Sequence, residues 1–99
     1  MLGIISLKRK RKRLARQIED HLDFLIGSVS TKGLKYEAYN LTSKVDGVTR
    51  TRHIPKDMVP LVRRLTKRHQ KLKDLIRELG KTNWLLIREG YDLGNDESV

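Results

Sequence analysis

Leu14, Ile18, Leu22, Leu25 and Ile26 recur at i, i+4, i+8, i+11 and i+12, the spacing of one apolar face of an α-helix. Arg16, Gln17, Asp20 and Asp23 fall mostly off that face. The pattern predicts a first helix over residues 14–26 that stops at Gly27-Ser28, since glycine is favoured just past a helix end. From Val29 to Pro55 the helical period gives way to β-type composition: Tyr36, Tyr39, Leu41, Thr42 and Val45, then Val48, Thr49, Thr51 and Ile54. Asp46-Gly47 between the two groups predicts a hairpin with a two-residue type I′ turn, which needs positive φ at both positions. That turn sets the register. Val45 faces Val48, Ser43 faces Arg50, Leu41 faces Arg52 and Tyr39 faces Ile54 on a mainly apolar side, with Thr42–Thr51 and Asn40–His53 on a polar one. Ser28 to Lys32 is a candidate third strand, closed by a turn at Gly33.

Ile54-Pro55 ends the hairpin, and Pro60 falls in the first turn of the next segment, where a missing backbone N–H matters little. Met58, Leu65, Leu72, Leu79 and Leu86 then recur every seven residues, reinforced by Leu61, Val62, Leu75 and Ile76, so a long helix is expected from near Lys56 to Glu89. Gly80 interrupts it at about 1 kcal/mol relative to alanine, but the heptad phase continues across, which favours one helix. Asp92, Gly94, Asn95, Asp96 and Glu97 read as an acidic flexible tail over residues 90–99. The expected fold class is α+β: an N-terminal helix, a β-hairpin or three short antiparallel strands, and a long C-terminal helix. A basic arm over residues 1–13 precedes a single domain over 14–89.

At 99 residues the chain is expected to form one domain at most. Apolar residues make up 37% and aromatic residues 5%, enough for one modest core but little for an enclosed substrate cavity. No cysteine is present, which removes disulfides and every cysteine-based metal site or nucleophile and fits a reducing, cytoplasmic setting. No apolar run approaches the roughly 20 residues that span a bilayer, and the short apolar stretch Met1 to Leu7 precedes its positive charges instead of following them, unlike an export signal. His21, His53 and His69 lack the paired spacing of a zinc site. Gly33 and Gly47 are turn glycines, and no phosphate-binding loop, dinucleotide fingerprint or Ser–His–acid arrangement can be argued from spacing. The expectation is a protein that is not an enzyme, with no metal or cofactor.

Charge changes this picture most. Lys plus Arg number 22 against 12 Asp plus Glu, a formal net charge of +10, which points to a polyanionic partner. Lys8, Arg9, Lys10, Arg11, Lys12 and Arg13, followed by Arg16, form an unbroken basic run of the kind that phosphate neutralisation with counterion release rewards. Arg63, Arg64, Lys67, Arg68 and Lys71 make a stripe about two helical turns long, with no acid between Asp57 and Asp74; ordinary soluble faces mix signs. Arg50 and Arg52 share the apolar side of the predicted hairpin, either reaching out to solvent or presenting guanidinium groups to a groove. Tyr36 and Tyr39 either stack on bases or pack beneath the helices. The expected function is non-catalytic nucleic-acid binding, to structured RNA or duplex DNA, mainly through the phosphate backbone. The alternative is a protein-interaction adaptor or dimer using Met58, Leu65, Leu72, Leu79 and Leu86. A third reading lays the basic arm on anionic lipid.

The order of elements over residues 18–88 resembles a small bacterial domain family of unknown function found near transposases and other mobile-element genes. The likeness rests on an amphipathic helix ending in Gly27-Ser28-Val29, a tyrosine-bearing strand from Tyr36 to Leu41, and Gly47-Val48-Thr49 leading through His53-Ile54-Pro55 into a long helix. Many members carry a cysteine-rich segment where this chain has Ser30-Thr31-Lys32-Gly33, so the family's metal-stabilised loop does not carry over. The resemblance implies an accessory role in a mobile element and no established activity.

Overall fold

The computed structural model describes residues 3–32 and 38–94. They form α1 (Ile4–Glu19), β1 (Ser28–Lys32), β2 (Ala38–Val45), β3 (Val48–Ile54), a 3-10 turn (Lys56–Met58) and α2 (Val59–Arg88). This is an α+β fold with a helix, a three-stranded antiparallel sheet and a long C-terminal helix. The chain divides into two compact units, one made of Asp23–Lys71 and the other of Met1–Leu22 with Leu72–Val99. Helix α2 contributes residues to both.

In the unit Asp23–Lys71 the strands are ordered β1-β2-β3. The β2–β3 register is the one the Asp46-Gly47 turn demands, with Val45 opposite Val48, Leu41 opposite Arg52 and Tyr39 opposite Ile54. Asp46 at φ 54° and Gly47 at φ 76° supply the two positive values of the type I′ turn. Val29 pairs with Leu41 and Thr31 with Tyr39, so β1 adds Val29 to the face that carries Tyr39, Leu41 and Ile54. That face packs with Val59, Val62 and Leu25 in one apolar cluster around the buried Ile54. The mainly apolar hairpin side is covered only in part. Ile54 is the only buried residue of β3, because the cluster covers only the Tyr39–Ile54 end of the hairpin, and Val45 and Val48 near the turn stay exposed.

Helix one does not run to Ile26. It ends at Glu19, and residues 20–27 form an irregular connector. Asp20 N–H donates to the Arg16 carbonyl and His21 N–H to that of Ile18, while His21 Nδ1 lies 2.6 Å from the Gln17 carbonyl oxygen. The ring thereby serves a carbonyl left without a partner at the helix end. The connector then lies along α2: Leu25 N–H donates to the Leu65 carbonyl, Arg68 donates to the Asp23 carbonyl at 2.8 Å, and Phe24 stacks on His69 with ring centroids 5.2 Å apart. Tertiary contacts to α2 thus replace the helical turns that Leu22, Leu25 and Ile26 suggest. Gly27 is a close-approach residue under β2, not a helix cap. At φ 137°, a Cβ there would lie 2.6 Å from the Thr42 carbonyl oxygen, closer than real side chains approach.

In the other unit, α1 buries Leu7 and Leu14 and the later part of α2 buries Leu72, Leu75, Thr82 and Leu86. Lys8 Nζ, near the start of α1, sits 5.1 Å from the ring centroid of Tyr91, just past the end of α2, so the two helices lie antiparallel. The Thr82 hydroxyl is satisfied within the helix, donating to the Glu78 carbonyl at 3.0 Å. Helix α2 passes Gly80 without a break. It closes with Gly90 at φ 89°, Tyr91 N–H donating to the Leu86 carbonyl and Gly90 N–H to that of Ile87, which is the Schellman arrangement. Of the heptad residues, Met58 lies in the 3-10 turn before α2 and is exposed, its place in the core taken by Val59. Leu72 and Leu86 are buried within the chain, Leu65 and Leu79 are half-buried, and Met58 alone of the five is exposed. The turn at Gly33, Tyr36, and Asn95, Asp96 and Glu97 of the tail lie outside the described residues.

Candidate nucleic-acid interface

The basic run is helical. Lys8, Arg9, Lys10, Arg11, Lys12, Arg13 and Arg16 all belong to α1, whose register is set by the burial of Leu7 and Leu14 on one side. Arg9, Lys12, Arg13 and Arg16, at i, i+3, i+4 and i+7, fall on the face opposite those leucines and line a shallow depression of about 220 Å³. Lys8 lies beside this face and is exposed; Arg11 and Lys10 fall on either side of the buried leucines, Arg11 exposed and Lys10 half-buried. Among the described residues none of these seven cations makes an ion pair. Like charges at i, i+3 and i, i+4 oppose the helix by about 0.2–0.5 kcal/mol per pair. Burying each leucine contributes about 1.5–3 kcal/mol, enough to hold the helix against that repulsion. An anion laid along the face relieves it.

The second set lies in the unit Asp23–Lys71. Arg63 and Lys67 of α2 line an open groove of about 320 Å³ with Gly27, Ser28 and Val29 at the start of β1 and with Thr66 and Gln70. Arg63, Thr66, Lys67 and Gln70 repeat the i, i+3, i+4, i+7 spacing of the α1 face. Charge counting picks out the two cations but misses the neutral Thr66, Gln70 and Ser28; that shared spacing is the signal that identifies Thr66 and Gln70. The Thr66 hydroxyl donates to the Arg63 carbonyl at 2.9 Å, and its oxygen keeps acceptor capacity. Arg64 and Lys71 are exposed. Arg68 is half-buried and ties α2 to the connector through the Asp23 carbonyl, a structural use that the charge stripe alone does not foresee.

Arg50 and Arg52 are exposed on β3, in register with Ser43 and Leu41. They lie on the side of the sheet that carries Tyr39, Leu41 and Ile54, yet neither is buried there. Tyr39 packs against that cluster. Among the described residues no three of His, Cys, Asp and Glu come close enough to hold a metal ion, and no helix is long and apolar enough to cross a membrane. Compared with family models, curated proteins and solved structures, the chain matches none.

Proposed function

We propose that this is a non-catalytic nucleic-acid-binding accessory protein that holds structured RNA or duplex DNA mainly by its phosphates. One observation carries the reading: the seven cations of α1 between Lys8 and Arg16 lie in an ordered helix with no carboxylate partner among the described residues. Rigid placement lowers the entropy lost when each side chain meets a phosphate, and a self-repelling helix gains stability when the polyanion arrives. Arg63, Lys67 and their groove, with Arg64 and Lys71, offer a second set of phosphate contacts; Arg50 and Arg52 are the candidates for groove contact. A place in a mobile-element nucleoprotein complex follows from the family resemblance, and a cytoplasmic location from the cysteine-free composition.

A salt titration tests the reading. If about seven phosphates are neutralised on duplex, log K falls against log salt with a slope near −6. Replacing the six residues at positions 8–13 with glutamine removes most of the affinity; unchanged affinity excludes α1 as the contact.

The adaptor reading is favoured by a different surface from the leucine stripe. Ile76, Gly80, Trp84 and Ile87 fall at i, i+4, i+8 and i+11 of α2, and the three large residues are more than half exposed. A tight complex that survives high salt, with no binding to either nucleic acid, selects this reading.

A further inference from the structure

The groove between α1 and α2, in the unit Met1–Leu22 with Leu72–Val99, is open and about 460 Å³ in volume. Ile5, Lys8, Lys12 and Ala15 of α1 form one wall, at the alternating three- and four-residue spacing with which a helix presents a seam to a neighbouring helix. Leu79 and Asn83 of α2 form the other. Ile76 and Ile87 stand at i−7 and i+4 of Asn83, so they extend that wall along the helix in both directions. Both are more than half exposed, and Trp84, on the outer border of the same face, is 61% exposed. Asn83 Oδ1 is buried without a hydrogen-bond partner among the described residues, so it offers nothing to a ligand.

Large apolar side chains clustered on one exposed face mark an interaction site, and their surroundings select the occupant. Lys8, Arg11 and Lys12 border the face on the α1 side. Lys73 and Arg88, both exposed, border it on the α2 side, at i−3 of Ile76 and i+4 of Trp84. A second copy of this chain brings the wrong sign: its own apolar stripe carries the same cations, and two chains of net charge +10 repel. Duplex nucleic acid meets the cations but leaves Ile5, Ile76, Leu79 and Ile87 against phosphates and water. A bilayer is flat, whereas this surface is a groove between two helices. An extended peptide finds no strand edge here to pair with. A third helix fits. Ile5 to Ala15 and Ile76 to Ile87 each extend about 15 Å at 1.5 Å per residue, and a helix with one apolar face and carboxylates on its flanks covers the isoleucines while meeting cations on both sides.

We propose that this groove docks an acidic amphipathic helix of a partner protein, about three turns of which lie between α1 and α2. Its apolar residues pack on Ile5, Ile76, Leu79 and Ile87, its carboxylates meet Lys8 and Lys12 on one flank and Lys73 and Arg88 on the other, and Trp84 covers its outer edge. Arg13 and Arg16 lie outside the groove lining and stay open to nucleic acid, so under the phosphate reading the chain joins a protein to the polymer. The docking site goes beyond that reading and stands without it.

The test uses the full chain and synthetic peptides of about four helical turns that lack tryptophan, so that Trp84, the one tryptophan of the chain, reports binding through its emission. The first peptide has leucine at heptad a and d positions and glutamate at e and g; the second has the same composition in scrambled order; the third has lysine in place of every glutamate. The first is expected to shift Trp84 emission to the blue and to bind about tenfold more tightly than the other two, with binding that persists in about 0.5 M salt, where attraction between exposed charges is screened. Ile76→Ser with Ile87→Ser alters two exposed positions and weakens the acidic peptide about tenfold, with nucleic-acid affinity unchanged. Lys8→Gln with Lys12→Gln weakens it about fivefold. Arg13→Gln with Arg16→Gln removes the same charge outside the groove and leaves peptide binding within about twofold, so the result does not depend on one variant folding.

Absence of binding by the acidic peptide overturns the proposal, as does equal binding by that peptide and its scramble that is lost in high salt, which is unspecific charge attraction. Equal binding by the acidic and basic peptides removes charge as the selector and overturns the acidic assignment. Vesicles of phosphatidylcholine with phosphatidylserine that shift Trp84 emission where no peptide does give the surface to lipid and overturn it. A dimer in sedimentation equilibrium that Ile76→Ser with Ile87→Ser dissociates gives it to a second copy and overturns it equally. None of these outcomes touches the salt-dependent binding of nucleic acid, whose absence overturns the phosphate reading alone.

Discussion

Helix α1 and residues 72–88 of α2 solve the same packing problem with opposite surface chemistry. Each holds itself by buried leucines: Leu7 is 2% exposed on α1 and Leu86 0% exposed on α2. On α2 the outward charges alternate, and Asp74 pairs with Arg77 at 3.3 Å and Glu78 with Lys81 at 3.4 Å, each at i, i+3. On α1 seven cations stand with Glu19 as the sole acid. Exposed pairs such as those on α2 contribute only a few tenths of a kcal/mol, so a helix with a buried leucine seam does not need them. The cations of α1 are therefore unexplained by stability, which they lower, and are available for function.

The largest test of this comparison is the seam itself. Leu86→Ala and Leu7→Ala are each expected to lose about 2–5 kcal/mol, the range for buried leucine truncations, measured by urea denaturation. A loss near zero at Leu7 would break the parallel and leave α1 held by something other than its leucine. Next, changing Arg9, Lys12, Arg13 and Arg16 together to glutamine should lower nucleic-acid affinity about a hundredfold at moderate salt, while the same change at Lys73, Arg77, Lys81 and Arg88 moves it less than about threefold. Equal losses from the two sets would mean that net charge, not placement, drives binding.

A smaller effect sharpens the α2 side. Apart from the adjoining residues and the helix's own nearby backbone, no described atom lies within 4 Å of the position a Cβ at Gly80 would occupy, so Gly80→Ala should stabilise the protein by about 1 kcal/mol through helix propensity alone. The smallest expected effect concerns salt. Screening relieves like-charge repulsion on α1 and weakens the ion pairs on α2, so hydrogen exchange from 50 to 500 mM salt should slow in α1 and quicken slightly in residues 72–88, each by a few tenths of a kcal/mol.

Much of the fold is legible in short-range chemistry. Asp46-Gly47 dictates its own turn geometry, and once the turn is set the period-two alternation leaves no freedom in the β2–β3 pairing. The third strand and the passage of α2 through Gly80 are also readable, the latter because the apolar phase on both sides outweighs one weak helix former. The end of α1 is not readable from periodicity. Leu22, Leu25 and Ile26 keep a helical spacing, yet Leu22 and Ile26 are exposed and only Leu25 joins the core. Asp20, His21 and Asp23 are all poor helix formers, and that local weakness is the one clue in the sequence.

The candidate site divides in the same way. The cations announce themselves by composition, but Asn83, Thr66 and Gln70 are ordinary polar residues until packing puts them beside a groove. Arg68 looks like its neighbours in the stripe and is drawn away by one carbonyl, that of Asp23.

Sequence alone determined the charge, the hairpin register and the existence of two helices, because each depends on residues within a turn or two of one another. Tertiary structure decided where α1 ends, why Gly27 must lack a side chain, and which acceptor is left buried at Asn83. Those outcomes depend on how closely distant segments approach, and the identity of a residue carries no record of what will be packed against it.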